Sequence, residues 1–129
     1  MTAPTRRAWA SIDLDALKFN LARVREICPT ANITPVIKSN GYGHGAAQIA
    51  KSLATSNVQF DCFVVATLQE ACALSELGLG KAIVLLAGFI DENELRLCLD
   101  KNIQPVIHSA YQAELAGQLL SSAYRECAK

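Results

Sequence analysis

The stretch Asp61-Cys62-Phe63-Val64-Val65-Ala66-Thr67-Leu68-Gln69-Glu70 places a short apolar run directly before a helix start. Residues 62–66 are apolar at every position, not at every second one, as in a strand covered on both faces. Thr67 and Glu70 have the spacing of a capping box, in which the hydroxyl accepts an N–H of the first helical turn and the carboxylate reaches back. The helix they open is expected to end near Leu77, where Gly78 supplies a C-terminal stop.

The same unit recurs downstream. Ala82 to Ala87 is another continuous apolar strand, and Asp91-Glu92-Asn93-Glu94 opens a helix after it. Gln104 to His108 is the next strand, Pro105 being placed at its start, where a missing N–H is tolerated. Ser109-Ala110-Tyr111-Gln112 again has capping-box form and leads a helix towards Ser121. Upstream, Ile33 to Lys38 forms the leading strand, followed by a glycine loop and a helix from about Ala46 to Leu53. Ala8 to Ile12 has the composition of a short strand containing Trp9. Asp13 then stands as N-cap before apolar residues at 14, 17, 21, 24 and 27, so Leu14 to Cys28 is an amphipathic helix stopped by Pro29.

Strands alternating with helices make an α/β protein with a parallel sheet. Two closures fit the pattern, an open doubly wound sheet and a (β/α)8 barrel. A barrel needs about 250 residues, so a 129-residue chain with four βα units, preceded by a short strand and helix, is expected to be the first half of a (β/α)8 TIM-type barrel. A half barrel standing alone leaves strand edges unpaired.

Composition narrows the class. Twelve basic and twelve acidic residues cancel, which removes the electrostatic case for nucleic acid or an anionic membrane surface. No apolar run approaches the ~20 residues of a membrane span, and the polar Met1 to Arg7 lacks the apolar core of a signal peptide. Cys28, Cys62, Cys72, Cys98 and Cys127 are scattered without C-x-x-C spacing, the usage of reduced, packed thiols in a cytoplasmic protein. With two histidines, neither at ligand spacing from a cysteine, no metal site is expected.

In either closure, chemistry gathers at the carboxyl ends of the strands. Lys38, Thr67, Gly88 and His108 stand there. Lys38 closes the leading strand before Ser39-Asn40-Gly41-Tyr42-Gly43-His44-Gly45. Local pattern alone favours a lysine that snorkels or pairs with a carboxylate. The alternative is a desolvated amine that forms a Schiff base with a carbonyl cofactor. The loop matches neither a dinucleotide fingerprint nor a P-loop, because the glycine spacing and lysine position are wrong. Its glycines allow positive φ around Tyr42 and His44. Tyr42 is either a packed aromatic or a ligand donor, and His44 and His108 read as structural.

Lys38-Ser39-Asn40-Gly41-Tyr42-Gly43-His44-Gly45 resembles the cofactor-attachment motif K-A-N-A-Y-G-H-G of bacterial alanine racemases, departing from it at Ser39 and Gly41. The opening Trp9-Ala10-Ser11-Ile12-Asp13-Leu14-Asp15-Ala16-Leu17 and the segment Val65-Ala66-Thr67-Leu68-Gln69-Glu70-Ala71 are similar to family segments in the same order. The resemblance covers nearly the whole chain. It implies a fold-type III enzyme, with a barrel followed by a C-terminal β domain, that acts as a homodimer. Such an enzyme interconverts L- and D-alanine with pyridoxal 5'-phosphate and supplies D-alanine for peptidoglycan.

On that resemblance Lys38 holds the cofactor and serves as one of two catalytic bases, and Tyr42 binds the cofactor phosphate. The opposite base, a tyrosine, and the arginines that address cofactor and substrate lie later in the family's chains. Tyr111 and Tyr124 do not replace them. Residues 1–129 are therefore expected to be the N-terminal portion of the barrel domain and inactive alone. The alternatives are a broad-specificity or serine racemase of the same fold, a non-catalytic pyridoxal-phosphate-binding barrel, and a plain α/β interaction domain.

Overall fold

The computed structural model describes residues 8–127, and side chains beyond residue 121, among them Tyr124 and Cys127, lie outside the described set, as does the N-terminal run 1–7. Helix α1 (Leu14–Ile27) is capped by Asp13, whose carboxylate accepts the N–H groups of Asp15 and Ala16 at 3.0 and 2.9 Å. A short left-handed turn, α2 (Lys38–Tyr42), precedes α3 (Ala46–Ala54). Strand β1 (Cys62–Val65) then leads to α4 (Leu68–Ser75), β2 (Ala82–Leu85) to α5 (Glu92–Asp100), and β3 (Ile103–Pro105) to α6 (Ala110–Cys127).

The three strands pair in parallel in the order β1-β2-β3, with Val64 opposite Val84 and Val84 opposite Gln104. The leading segment lies beside β1 through a parallel bridge between Val36 and Val64. Spatial order thus follows chain order with no reversal, which excludes the doubly wound arrangement and leaves the arc of a barrel. The architecture is α/β, the first half of a TIM-type barrel.

Alternate residues divide the sheet. Phe63, Val65, Ile83, Leu85 and Ile103 join Ile37, Ile49, Ala50, Leu53, Ala71, Leu74 and Cys98 in one apolar core beneath the helices. Phe63 and Leu85 are 1% and 0% exposed, so they carry the largest share of apolar burial. The other face holds the row Val36, Val64, Val84 and Gln104, and Val36 is 43% exposed at its free edge. A smaller cluster of Phe89, Leu95 and Leu119 seats α6 on α5.

Three expected elements differ from the observed ones. Ala8 to Ile12 forms no strand. Among the described residues it pairs with no strand, and Trp9 is 85% exposed. The leading strand, expected over 33–38, is reduced to its bridge. Val64 N–H donates to Pro35 and Ile37 N–H to Val64, at 3.0 and 2.9 Å, but Pro35 has no N–H to extend the ladder backwards. The strand expected at 104–108 runs from Ile103 to Pro105, so Pro105 ends it. Val106 N–H donates to Leu85 at 2.9 Å, which turns the neighbouring Pro105 nitrogen towards the open edge, where no donor is needed.

Candidate active site

Each of the three strand-to-helix junctions after β1, β2 and β3 is closed by one side-chain device. Glu70 N–H donates to the Thr67 hydroxyl at 3.3 Å, Glu94 N–H to Asp91 at 2.9 Å, and Gln112 N–H to Ser109 at 3.2 Å. In return the third helical residue accepts the N–H four positions back. Glu70 takes that of Ala66 at 3.1 Å, Glu94 that of Ile90 at 2.8 Å, and Gln112 that of His108 at 2.6 Å. Helix termini leave such N–H groups without intrahelical partners, and these side chains supply them.

The first junction is built differently. Ser39, Asn40, Gly41 and Tyr42 all have positive φ, at 53°, 52°, 62° and 54°. Three of the four carry a Cβ, and a left-handed turn costs L-residues about 1–2 kcal/mol each. Bonds at both ends hold it in place. Gly41 N–H donates to Ile37 and Gly43 N–H to Ser39, each at 2.9 Å, and Gly45 N–H donates to Asn40 at 2.9 Å. Asn40 Oδ1 accepts Ala46 N–H at 2.9 Å and caps α3, because Gly45 at the N-cap has no side chain to do so. Ser39 N–H donates at 2.5 Å to Glu70, a residue of the next βα unit.

Lys38 stands, half-buried, where the extended segment becomes this turn. Among the described residues no carboxylate pairs with its ammonium. The carboxylate-paired reading of this lysine is therefore removed. Tyr42, four residues on, is 58% exposed, and its hydroxyl has no protein partner among the described residues. Tyr42 borders a cleft of about 560 Å³ between α1 and the turn, which Asp13, Asn20, Val36 and His44 also line and Lys38 does not. One turn thus carries both residues, with Tyr42 facing the α1 side.

The histidines serve the backbone. His44 Nδ1 lies 3.0 Å from the carbonyls of Gly41 and Tyr42, so it donates within the turn. His108 Nε2 donates to the Leu86 carbonyl at 2.5 Å and joins two strand ends. A Cβ on Gly88 would meet the Val106 carbonyl oxygen at 2.6 Å, so the glycine permits β2 and β3 to leave the sheet close together. Burial, helped by the Asp61 charge, pushes the Cys62 thiol up, and burial with Cys72 and Glu94 does the same to Cys98, which keeps both protonated and inert.

Among the described residues, Glu70 is the one carboxylate held below its usual range. Its partial burial acts upwards, but N–H donors from Thr67, Ala66 and Ser39, with the Thr67 hydroxyl, outweigh it. The sequence showed Glu70 as a capping residue only. Its bond to Ser39 spans 31 positions and has no local signal. Asn40 as the cap of α3 was also missed, since it lies six residues before the N–H it serves. An asparagine ahead of a glycine loop, tolerant of positive φ, was the available clue.

Comparison with known proteins agrees with this geometry. The family model described as "Alanine racemase, N-terminal domain" matches residues 12–127. The chain belongs to the alanine racemase family. An alanine racemase from Shewanella denitrificans is 40% identical over 109 residues, 84% of this chain and 30% of that protein. The crystal structure of alanine racemase from Oenococcus oeni superposes with a TM-score of 0.76 at 33% identity, over 88% of this chain and 29% of that one. The alanine racemase of Clostridium difficile 630 in complex with cycloserine superposes at 0.77, with 28% identity over 94% of this chain and 33% of its own. The chain therefore spans about a third of the length of its relatives.

Proposed function

We propose that residues 1–129 are the N-terminal portion of a barrel domain and supply half of an alanine racemase active site, which interconverts L- and D-alanine and provides D-alanine for peptidoglycan. The observation that carries this is Lys38, an amine without an ion pair among the described residues, rooted at the carboxyl end of the leading segment in a family of alanine racemases. Pyridoxal 5'-phosphate is the cofactor this family membership implies. The donor set fits it: an amine able to bond its aldehyde carbon, and the Tyr42 hydroxyl, without a protein partner among the described residues, able to donate to its phosphate. When bound, the cofactor supplies an electron sink for charge at the substrate Cα.

The protein's own part is placement and proton movement. The Lys38 backbone is fixed at the strand end while its four-carbon stem swings, so one amine can serve attachment and then take or return the Cα proton on one face. The Cα proton on the opposite face needs a second base, which the family resemblance assigns to a tyrosine of a partner subunit's C-terminal domain. A homodimer completed by the rest of the barrel follows from that. Among the described residues no helix is long and apolar enough to cross a membrane. A cytoplasmic location is supported by the free thiols among the described residues, at Cys28, Cys62, Cys72 and Cys98.

The test joins residues 1–129 to the remaining length of the Shewanella denitrificans relative and follows conversion of L-alanine to D-alanine. The joined protein is expected to turn over with pyridoxal 5'-phosphate, Lys38→Ala to lose at least about 10³-fold, and residues 1–129 alone to show no turnover. Undiminished activity in Lys38→Ala would overturn the assignment.

A further inference from the structure

We infer that Glu70 is a positioning residue for Lys38, bolting the peptide that follows the lysine to the neighbouring strand-to-helix junction. This rests on the cofactor-lysine reading above. Glu94 and Gln112 occupy the same place in their units, and each spends its side-chain acceptor on its own junction. The Gln112 amide also donates to the Phe89 carbonyl of the preceding junction at 2.6 Å, but that bond does not reach the lysine turn. Glu70 serves its own junction with Oε2 alone, which accepts Ala66 and Thr67 N–H at 3.1 Å each. Its second oxygen, Oε1, crosses to Ser39 N–H at 2.5 Å.

The crossing point is adjacent to the lysine. On the upstream side Ile37 N–H donates to the Val64 carbonyl at 2.9 Å. On the downstream side Ser39 N–H is held by Glu70. Lys38 is therefore bracketed by two bonds to one neighbouring βα unit, at Val64 in β1 and at the start of α4. Ser39, at φ 53° and ψ 49°, sits in a conformation that its own side chain does not favour. A bond from outside the turn adds to the one that the Ser39 carbonyl accepts from Gly43 N–H within it. Because the carboxylate is occupied by three peptide N–H groups, it holds the lysine's backbone without neutralising its amine. A base that must alternate between two partners needs a fixed root and a free stem, and this arrangement provides the root.

Glu70→Gln replaces one accepting oxygen by a donating amide and cannot serve both junctions. Glu70→Asp keeps the charge at the start of α4 but is one methylene too short to reach Ser39. Glu94→Gln is the control that perturbs an equivalent box without touching the lysine. Each variant of the joined protein is treated with pyridoxal 5'-phosphate and borohydride. Labelling of Lys38 is compared with labelling of Lys51 and Lys81 by peptide mapping, and Ser39 amide exchange is followed in parallel.

The expected result is a loss of Lys38 selectivity of about 10- to 100-fold in both Glu70 variants, with faster Ser39 exchange, while Glu94→Gln labels as wild type. Glu70→Asp covers the case in which Glu70→Gln does not fold. Selective labelling in wild type that is unchanged in the Glu70 variants, or lost equally in Glu94→Gln, overturns the positioning role alone. Absence of selective Lys38 labelling in wild type overturns the cofactor reading and the positioning role with it.

Discussion

The junction after the leading segment and the three junctions after β1, β2 and β3 solve the same problem by opposite means. At Thr67, Asp91 and Ser109 a cap and the residue three positions on satisfy the local N–H groups within five residues of chain. At Lys38 the chain instead takes a left-handed turn through Ser39, Asn40 and Tyr42 and relies on Asn40 and on Glu70 of another unit. The ordinary junctions satisfy their helix-start N–H groups locally, and the third adds bonds from Gln112 and His108 to the junction before it. The strained one carries the lysine. Strain of this kind persists only where surrounding structure over-determines it, which is characteristic of sites that must hold a reactive group in place.

The difference can be broken by substitution. Gly45→Ala should cost most, about 1–3 kcal/mol in urea unfolding, because φ there is 95° and a Cβ would also press on the Gln48 side chain at 2.8 Å. A loss within error of zero would mean the turn relaxes freely. Asn40→Ala should follow at about 1–2 kcal/mol, since it removes the α3 cap and leaves an alanine at positive φ. Ser109→Ala, which removes only a cap, should cost about 1 kcal/mol or less. Equal losses at Asn40 and Ser109 would erase the distinction between the two kinds of junction.

The smallest effect is one of pH. Glu70 is held below its ordinary value of 4.5 in the folded chain, so its contribution is complete above 4.5 and disappears as pH falls through the lower folded value. Stability followed from pH 6 downwards should therefore fall more steeply in wild type than in Glu70→Gln. Parallel curves would show that the carboxylate's three bonds do not distinguish its charged form.

Much of the scaffold could be read without coordinates. Continuous apolar runs at 62–66 and 82–87 announced parallel strands, and the helix starts at Asp13, Thr67, Asp91 and Ser109 were visible because capping is a contact between residues two to four apart. Two strand boundaries were misplaced at prolines. Whether Pro35 and Pro105 interrupt or tolerate pairing depends on which edge their nitrogens face, and that is set by the partner strand. Ala8 to Ile12 failed as a strand for the same reason, having strand composition but no paired edge among the described residues.

Lys38 with its loop was legible as a lysine and glycines at a strand end, and family resemblance raised it above a snorkelling side chain. By itself the chain determined the α/β alternation, the capping chemistry and the place of Lys38 ahead of a glycine loop, all properties of residues a few positions apart. Only the tertiary structure decided the singly wound strand order, the left-handed path through Ser39 and Asn40, and the bond from Glu70 across 31 residues. Those depend on which strand becomes whose neighbour, and side-chain periodicity carries no record of that.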